Sequence, residues 1–217
     1  PKHKRVSNII KFKIKNYSVN NLSSVIIGLR GEIHQIDLIG HKLYFPYTGY
    51  NRILNCDIRK NTFQKLLDLF FNKIIITIDG PSHLNSIYSD DDIIYCIAHN
   101  QTAHTGRSSE LILYSKLNKT IKIQDLNAHS AHNIINIHGS IYYCDSNNNK
   151  LYRDNNVIFR SEKLLRGLSI TKDRIYIGGS DIDFIGDKRF SSEASIYILT
   201  EDGHQIGQID LPGLGNL

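Results

Sequence analysis

Residues able to do chemistry recur in this chain at one repeated position. His34, Asn85, His132 and Arg166 each open a short pattern of polar, any residue, apolar, and each lies ten residues before a tyrosine, at Tyr44, Tyr95, Tyr142 and Tyr176. His83 and Ser130 stand two residues upstream of that position, on the same face of a strand, and His129 is adjacent. Three outcomes are open if the chain gathers these groups in one place. Imidazoles from separate segments can ligate Zn, Mn or Fe; His34, His83 and His129 or His132 would be the ligands, and a position left open for water would make a metal-dependent lyase or hydrolase. Alternatively, Arg166 offers a bidentate fork to a carboxylate, while the histidines and asparagines hydrogen-bond a sugar or carboxylate compound. The third outcome is structural, the polar side chains plugging a channel by bonding one another and trapped water.

The elements that must position these groups are short strands. Between each opening residue and its tyrosine lies a turn signal, IGHK, SDDD, IHGS or TKDR, flanked by apolar residues, as hairpins require. A polar loop and a second hairpin follow in every unit, in TGYNRILNCDI (48–58), RSSELILYSK (107–116), SNNNKLYRDNNVIF (146–159) and SSEASIYILTEDG (191–203). Each unit therefore holds four strands, and the starts at 34, 85, 132 and 166 are 51, 47 and 34 residues apart. Four-stranded units at that period are the signature of β-propeller blades. The expected fold is all-β, a single propeller domain over residues 1–217 with five four-stranded blades. The termini share the fifth blade, residues 1–33 supplying strands and Asn216 repeating the opening position fifty residues after Arg166. In a propeller the first strand of each blade lines the axis, so the opening residues converge at one mouth. Little helix is expected, and residues 61–71 are read as strand rather than helix.

Other chemistry is poorly represented. No GxSxG elbow, HExxH motif or phosphate-binding glycine loop occurs, and Asp90, Asp91 and Asp92 read as a solvated turn tip rather than catalytic carboxylates. The three cysteines, Cys56, Cys96 and Cys144, lack CxxC spacing and read as small buried apolar residues, which favours a reducing, cytoplasmic compartment. The net charge is +5, with Lys2, Lys4, Arg5, Lys11, Lys13 and Lys15 near the start. Ile10, Phe12 and Ile14 alternate with lysines, so this segment reads as a solvated strand, not an arm for nucleic acid or anionic lipid. No apolar run reaches the roughly 18 residues of a membrane span.

The strings EIHQIDLIGHKLYF (32–45), SHLNSIYSDDDIIYC (82–96), NAHSAHNIINIHGSIYYCDSNNNKLY (127–152) and LLRGLSITKDRIYIGGSD (164–181) resemble an uncharacterised bacterial propeller family. Its members carry, in this order, D-x-H-D, H-x-N-G, P-H-S-P before a strand ending D-S-G, and R-G-L followed by V-G-x-S. The positions that match are His34, His83, Asn85, His129, Ser130, Arg166 and Ser180. Glu32 and Gln35 flank His34 where the family has aspartates, Ala128 and Ala131 replace its prolines, and His132 falls outside its pattern. The resemblance implies a propeller with a polar axial site and brings no established activity. Three function classes follow: a small-molecule-binding propeller with a sugar or carboxylate ligand, a metal-dependent enzyme, or a protein-interaction scaffold using the outer faces.

Overall fold

A computed structural model of the chain describes residues 6–16, 18–48, 50–76, 82–181 and 192–213. The chain is a five-bladed β-propeller of antiparallel sheets, four of them with four strands. A hairpin of β1 (Val6–Lys15) and β2 (Ser18–Arg30) comes first. The first four-stranded blade is β3 (Asp37–Ile39), β4 (Lys42–Tyr47), β5 (Arg52–Asp57) and β6 (Ile74–Ile75), and the second is β7 (Leu84–Ser89), β8 (Ile93–Ala98), β9 (Glu110–Ser115) and β10 (Ile121–Asp125). The third comprises β11 (Ala131–Ile137), β12 (Ser140–Asp145), β13 (Lys150–Arg153) and β14 (Asn156–Arg160). The fourth comprises β15 (Leu164–Ile170), β16 (Ile175–Ser180), β17 (Ala194–Leu199) and β18 (Gln205–Leu211). The four repeats of the sequence are thus the four full blades, with β3, β7, β11 and β15 innermost.

Turn chemistry sets the hairpins. His138 and Gly139 take φ of 51° and 91° between the paired residues Ile137 and Ser140, a two-residue loop whose twist matches that of the strands. At the tip of β7–β8, Asp90 Oδ1 accepts the N–H groups of Asp92 and Ile93, so this aspartate closes a turn.

Alternation along the strands buries one face against each neighbouring blade. Ile53 and Tyr44 of the first blade meet Leu84, Ile87 and Cys96 of the second, and equivalent apolar clusters join the second blade to the third and the third to the fourth. Each fully buried isoleucine or leucine there contributes about 1.5–3 kcal/mol. Tyr44, Tyr95 and Tyr142 are buried in these layers, whereas Tyr176 is exposed. The three cysteines are buried and free, and burial pushes the Cys56 thiol up to about 11 and that of Cys144 to about 12.

Three of the four innermost strands, β7, β11 and β15, share an irregularity. Their register slips between Leu84 and Ser86, between His132 and Ile134, and between Arg166 and Leu168. Each slip is a bulge that frees backbone groups. The freed groups bond across blades: Asn133 N–H donates to Ser86 Oγ at 2.8 Å, and Gly167 N–H donates to Asn133 Oδ1 at 2.9 Å. Asn133 and Gly167 both adopt positive φ, 54° and 73°, which asparagine and glycine tolerate.

Two expectations change, one at residues 61–71 and one on the apolar face of β1. Residues 62–71 form a helix, α1 (Thr62–Phe71), because Asn61 Oδ1 accepts Gln64 N–H as an N-cap and a period-3.6 apolar stripe runs through Phe63, Leu66, Leu67, Phe70 and Phe71. A short second helix, α2 (Thr102–Thr105), follows β8. The sheet of β1 and β2 contains only those two strands among the described residues, and Asn216, expected to contribute to the shared blade, lies outside them. In β1, Lys11, Lys13 and Lys15 face water as expected, but Ile10, Phe12 and Ile14 are exposed too, since from β1 it is Ile9 that reaches the cluster around Phe45 and Leu69, beside Val25, Ile26 and Leu29 of β2. Lys2, Lys4 and Arg5 lie outside the described residues. No helix among the described residues is long and apolar enough to cross a membrane.

Candidate functional site

The opening residues of the repeats converge at one end of the innermost strands, where the chain enters β3, β7, β11 and β15. Four imidazoles form a continuous run there. The ring centroids of His34 and His83 are 5.0 Å apart, those of His83 and His99 5.2 Å, and those of His99 and His132 5.0 Å. His34 precedes β3 and is the most open, with 38% of its side chain exposed and Nε2 3.8 Å from Glu32 Oε2. His83 precedes β7 at φ 48°, and His99 follows β8, its N–H donating to His83 O at 3.2 Å. His132 is the second residue of β11, next to its bulge.

Electrostatics make this a run of neutral rings between the Arg166 cation and the Glu32 carboxylate at its open end. Burial is the largest cause in each case, holding His83 at about 4 and His99 at about 3, lowering His34, and keeping His132 well below the ordinary imidazole value. The positive charge of Arg166, on β15, lowers all four further, while Glu32 opposes the shift at His34 and His83. At neutral pH the rings are therefore uncharged hydrogen-bonding groups.

Two tautomers follow from the partners. His99 Nδ1 accepts the N–H of Gln101 at 3.0 Å, so its proton sits on Nε2 and the ring presents a donor. His132 Nδ1 lies 2.7 Å from Ser130 O and 2.9 Å from Ser146 Oγ, and Ser146 Oγ donates to Leu165 O. The carbonyl requires a proton on His132 Nδ1, leaving Nε2 as an acceptor. Asn85 is 1% exposed; its amide donates to Ala131 O, but Oδ1 is a buried acceptor without a protein partner among the described residues. Gln35, whose N–H donates to Asn85 O, likewise has a buried Oε1 without one.

Of the residues singled out in the sequence, His34, His83 and His132 join the run and Arg166 acts on every member. Ser130 is buried at φ 56°, its N–H held by Thr102 Oγ1, and it serves through the carbonyl that orients His132. His129 is exposed, its backbone N–H on Asp145 Oδ1, because the turn at Ser130 sends the chain into β11 with residue 129 outside. The third imidazole beside His34 and His83 is therefore His99, not His129. Ser180 is buried at the end of β16, opposite Leu164 and one strand out from Arg166. Among the described residues no group of three or more His, Cys, Asp or Glu side chains is arranged to hold a metal ion. His99 follows the second strand of its blade and so carries no repeat signal; it comes beside His83 only through the bulge that shifts the β7–β8 pairing from Ser86↔Ile97 to Leu84↔Ala98.

No family model and no curated protein matches the sequence. Solved structures do resemble the fold. A quinonprotein alcohol dehydrogenase-like protein from Bacteroides thetaiotaomicron aligns with a TM-score of 0.56 at 11% identity, over 96% of this chain and 52% of that one. The chain thus spans about half the length of that protein. A member of the DUF4221 family from Bacteroides vulgatus aligns at 0.49 and 10% identity, over 98% and 76%, and apo AztD from Citrobacter koseri at 0.39 and 10%, over 95% and 80%.

Proposed function

We propose that the protein is a small-molecule-binding propeller whose axial site takes a hydroxylated carboxylate, of the sugar-acid class. The observation behind this reading is the combination at one site of a permanent cation, Arg166, with neutral imidazoles of assigned roles, His99 as donor and His132 as acceptor. Arg166 and His99 suit a carboxylate, and His132 Nε2 suits a hydroxyl proton. The His99 tautomer weighs against a metal, since Nε2 can ligate only if Nδ1 gives up its bond from Gln101.

The test is calorimetry and thermal shift with glucuronate, gluconate, succinate and, as the uncharged control, glucose. The expected result is stabilisation by the hydroxylated acids and none by glucose, with Arg166→Gln weakening binding about 10- to 100-fold, the worth of a charge-assisted bond. Absence of any shift, or a shift unchanged in Arg166→Gln, overturns the reading. Stoichiometric Zn that disappears in a His34→Ala, His83→Ala double variant replaces it with a metal-dependent enzyme.

A further inference from the structure

An unexplained apolar surface lies far out on the first four-stranded blade. There α1, inserted between β5 and β6, turns its apolar stripe to solvent: Phe63, Leu66, Leu67, Phe70 and Phe71 are between 40 and 71% exposed, while Asp68 and Leu69 are the buried residues. The helix is thus inside out relative to an ordinary surface helix, whose stripe faces the core. Its one acid explains the inversion. Asp68 accepts Lys60 Nζ at 2.8 Å, Asn72 Nδ2 at 3.0 Å and Asp57 N–H at 3.1 Å, so the polar face is the docked face and no negative charge remains outside.

The stripe runs into a groove between the first and second full blades, of about 520 Å³, lined by Lys42, Lys73, Lys116 and Lys119 over Tyr44 and Tyr114. Phe71 belongs to both features, and Lys73 Nζ stands 4.9 Å from the centre of the Phe70 ring. No carboxylate lines the groove, and none of the four lysines forms an ion pair with a described residue. Lys116 is anchored by Asp90 O and the Tyr44 ring, and Asp37, Asp90 and Asp91 are the acids whose charge reaches it. Lys42 and Lys119 are exposed.

We propose that this surface docks the protein on an anionic phospholipid bilayer, α1 seating its stripe at the headgroup–acyl boundary and the lysine groove taking the phosphate-bearing headgroups. Protruding phenylalanines and leucines beside a cluster of lysines are what such an interface selects. A second copy of the chain is a poor occupant, because a two-fold contact sets the same patch against itself and opposes lysine to lysine.

Flotation with vesicles of 30% phosphatidylserine in phosphatidylcholine, against pure phosphatidylcholine, tests this on the whole chain. Binding is expected only to the charged vesicles and to fall as salt rises. Leu66→Gln with Phe70→Gln abolishes it, and Lys42→Gln with Lys119→Gln weakens it about thirtyfold, at about fivefold per lysine. All four positions are exposed, so circular dichroism and the melting midpoint stay at the parent values. Equal binding to both vesicles, no binding to either, full binding by the stripe variant, or a concentration-dependent dimer lost in that variant each overturns the proposal.

Discussion

At the scale of single residues, the histidine run couples stability to pH. The unfolded imidazole titrates near 6.5, while burial holds His83 at about 4 and His99 at about 3. As pH falls below about 6.5 the unfolded chain takes up protons that the folded chain refuses, so stability declines down through about pH 3. Above pH 7 the rings are neutral in both states and contribute no slope. The melting midpoint should therefore drop between pH 7.5 and pH 5, and His99→Gln, which keeps an acceptor for Gln101 N–H, should flatten that drop. A second residue-scale outcome concerns Ser146, fully buried, whose hydroxyl bridges His132 Nδ1 and Leu165 O. Ser146→Ala leaves that carbonyl unmatched and is expected to cost about 1–3 kcal/mol in urea denaturation. The opening positions of the repeats were legible because strand periodicity and turn residues mark them. His99 needed the β7 bulge as well, and the tautomers needed Gln101 N–H and Ser130 O, partners that no spacing announces.

Among the elements, α1 shows how tertiary context decides a local ambiguity. Residues 61–71 fit a strand within a propeller hairpin, yet the Asn61 cap and the three bonds to Asp68 select helix. Asn61→Ala removes the cap and should cost about 1 kcal/mol, read by chemical denaturation. The turn between β17 and β18 is more demanding. Gly203 sits at φ 85° with the carbonyl of Ile158 where a Cβ would go, so the turn packs directly on β14. Gly203→Ala is strained by its φ and blocked by backbone, and it should lower the melting midpoint more than Asn61→Ala does. The repeat predicted the hairpins well. It could not predict the bulges, because a register slip depends on what the neighbouring blade offers the freed N–H.

For the whole molecule, blades cohere by apolar layers and by the polar ladder through Ser86, Asn133 and Gly167. The ladder's contribution can be isolated. Asn133→Gly keeps the positive φ and removes only the side-chain acceptor, so its expected cost of about 1–2 kcal/mol measures the bond to Gly167, and Asn133→Ala should cost more by adding backbone strain. If the two variants denature alike, the positive φ costs little and the lost bond alone accounts for the effect; if Asn133→Gly denatures like the parent, the bond contributes little. The four full blades were legible from the period of the repeat, and their order from the chain; the fifth rested on the strand-like stretches before the first repeat. The hairpin at the start was only half legible: its strands are where alternation suggests, but its outer residues find no apolar layer to enter.

That ladder also has a direction. In both rungs the acceptor belongs to the earlier blade and the donor to the later one: Ser86 waits for Asn133, and Asn133 for Gly167. During synthesis the receiving oxygen has therefore left the ribosome before the N–H it will hold. On this ladder the third and fourth blades each meet an acceptor already made, while the Asn85 amide, which donates forward to Ala131 O, must wait for its partner.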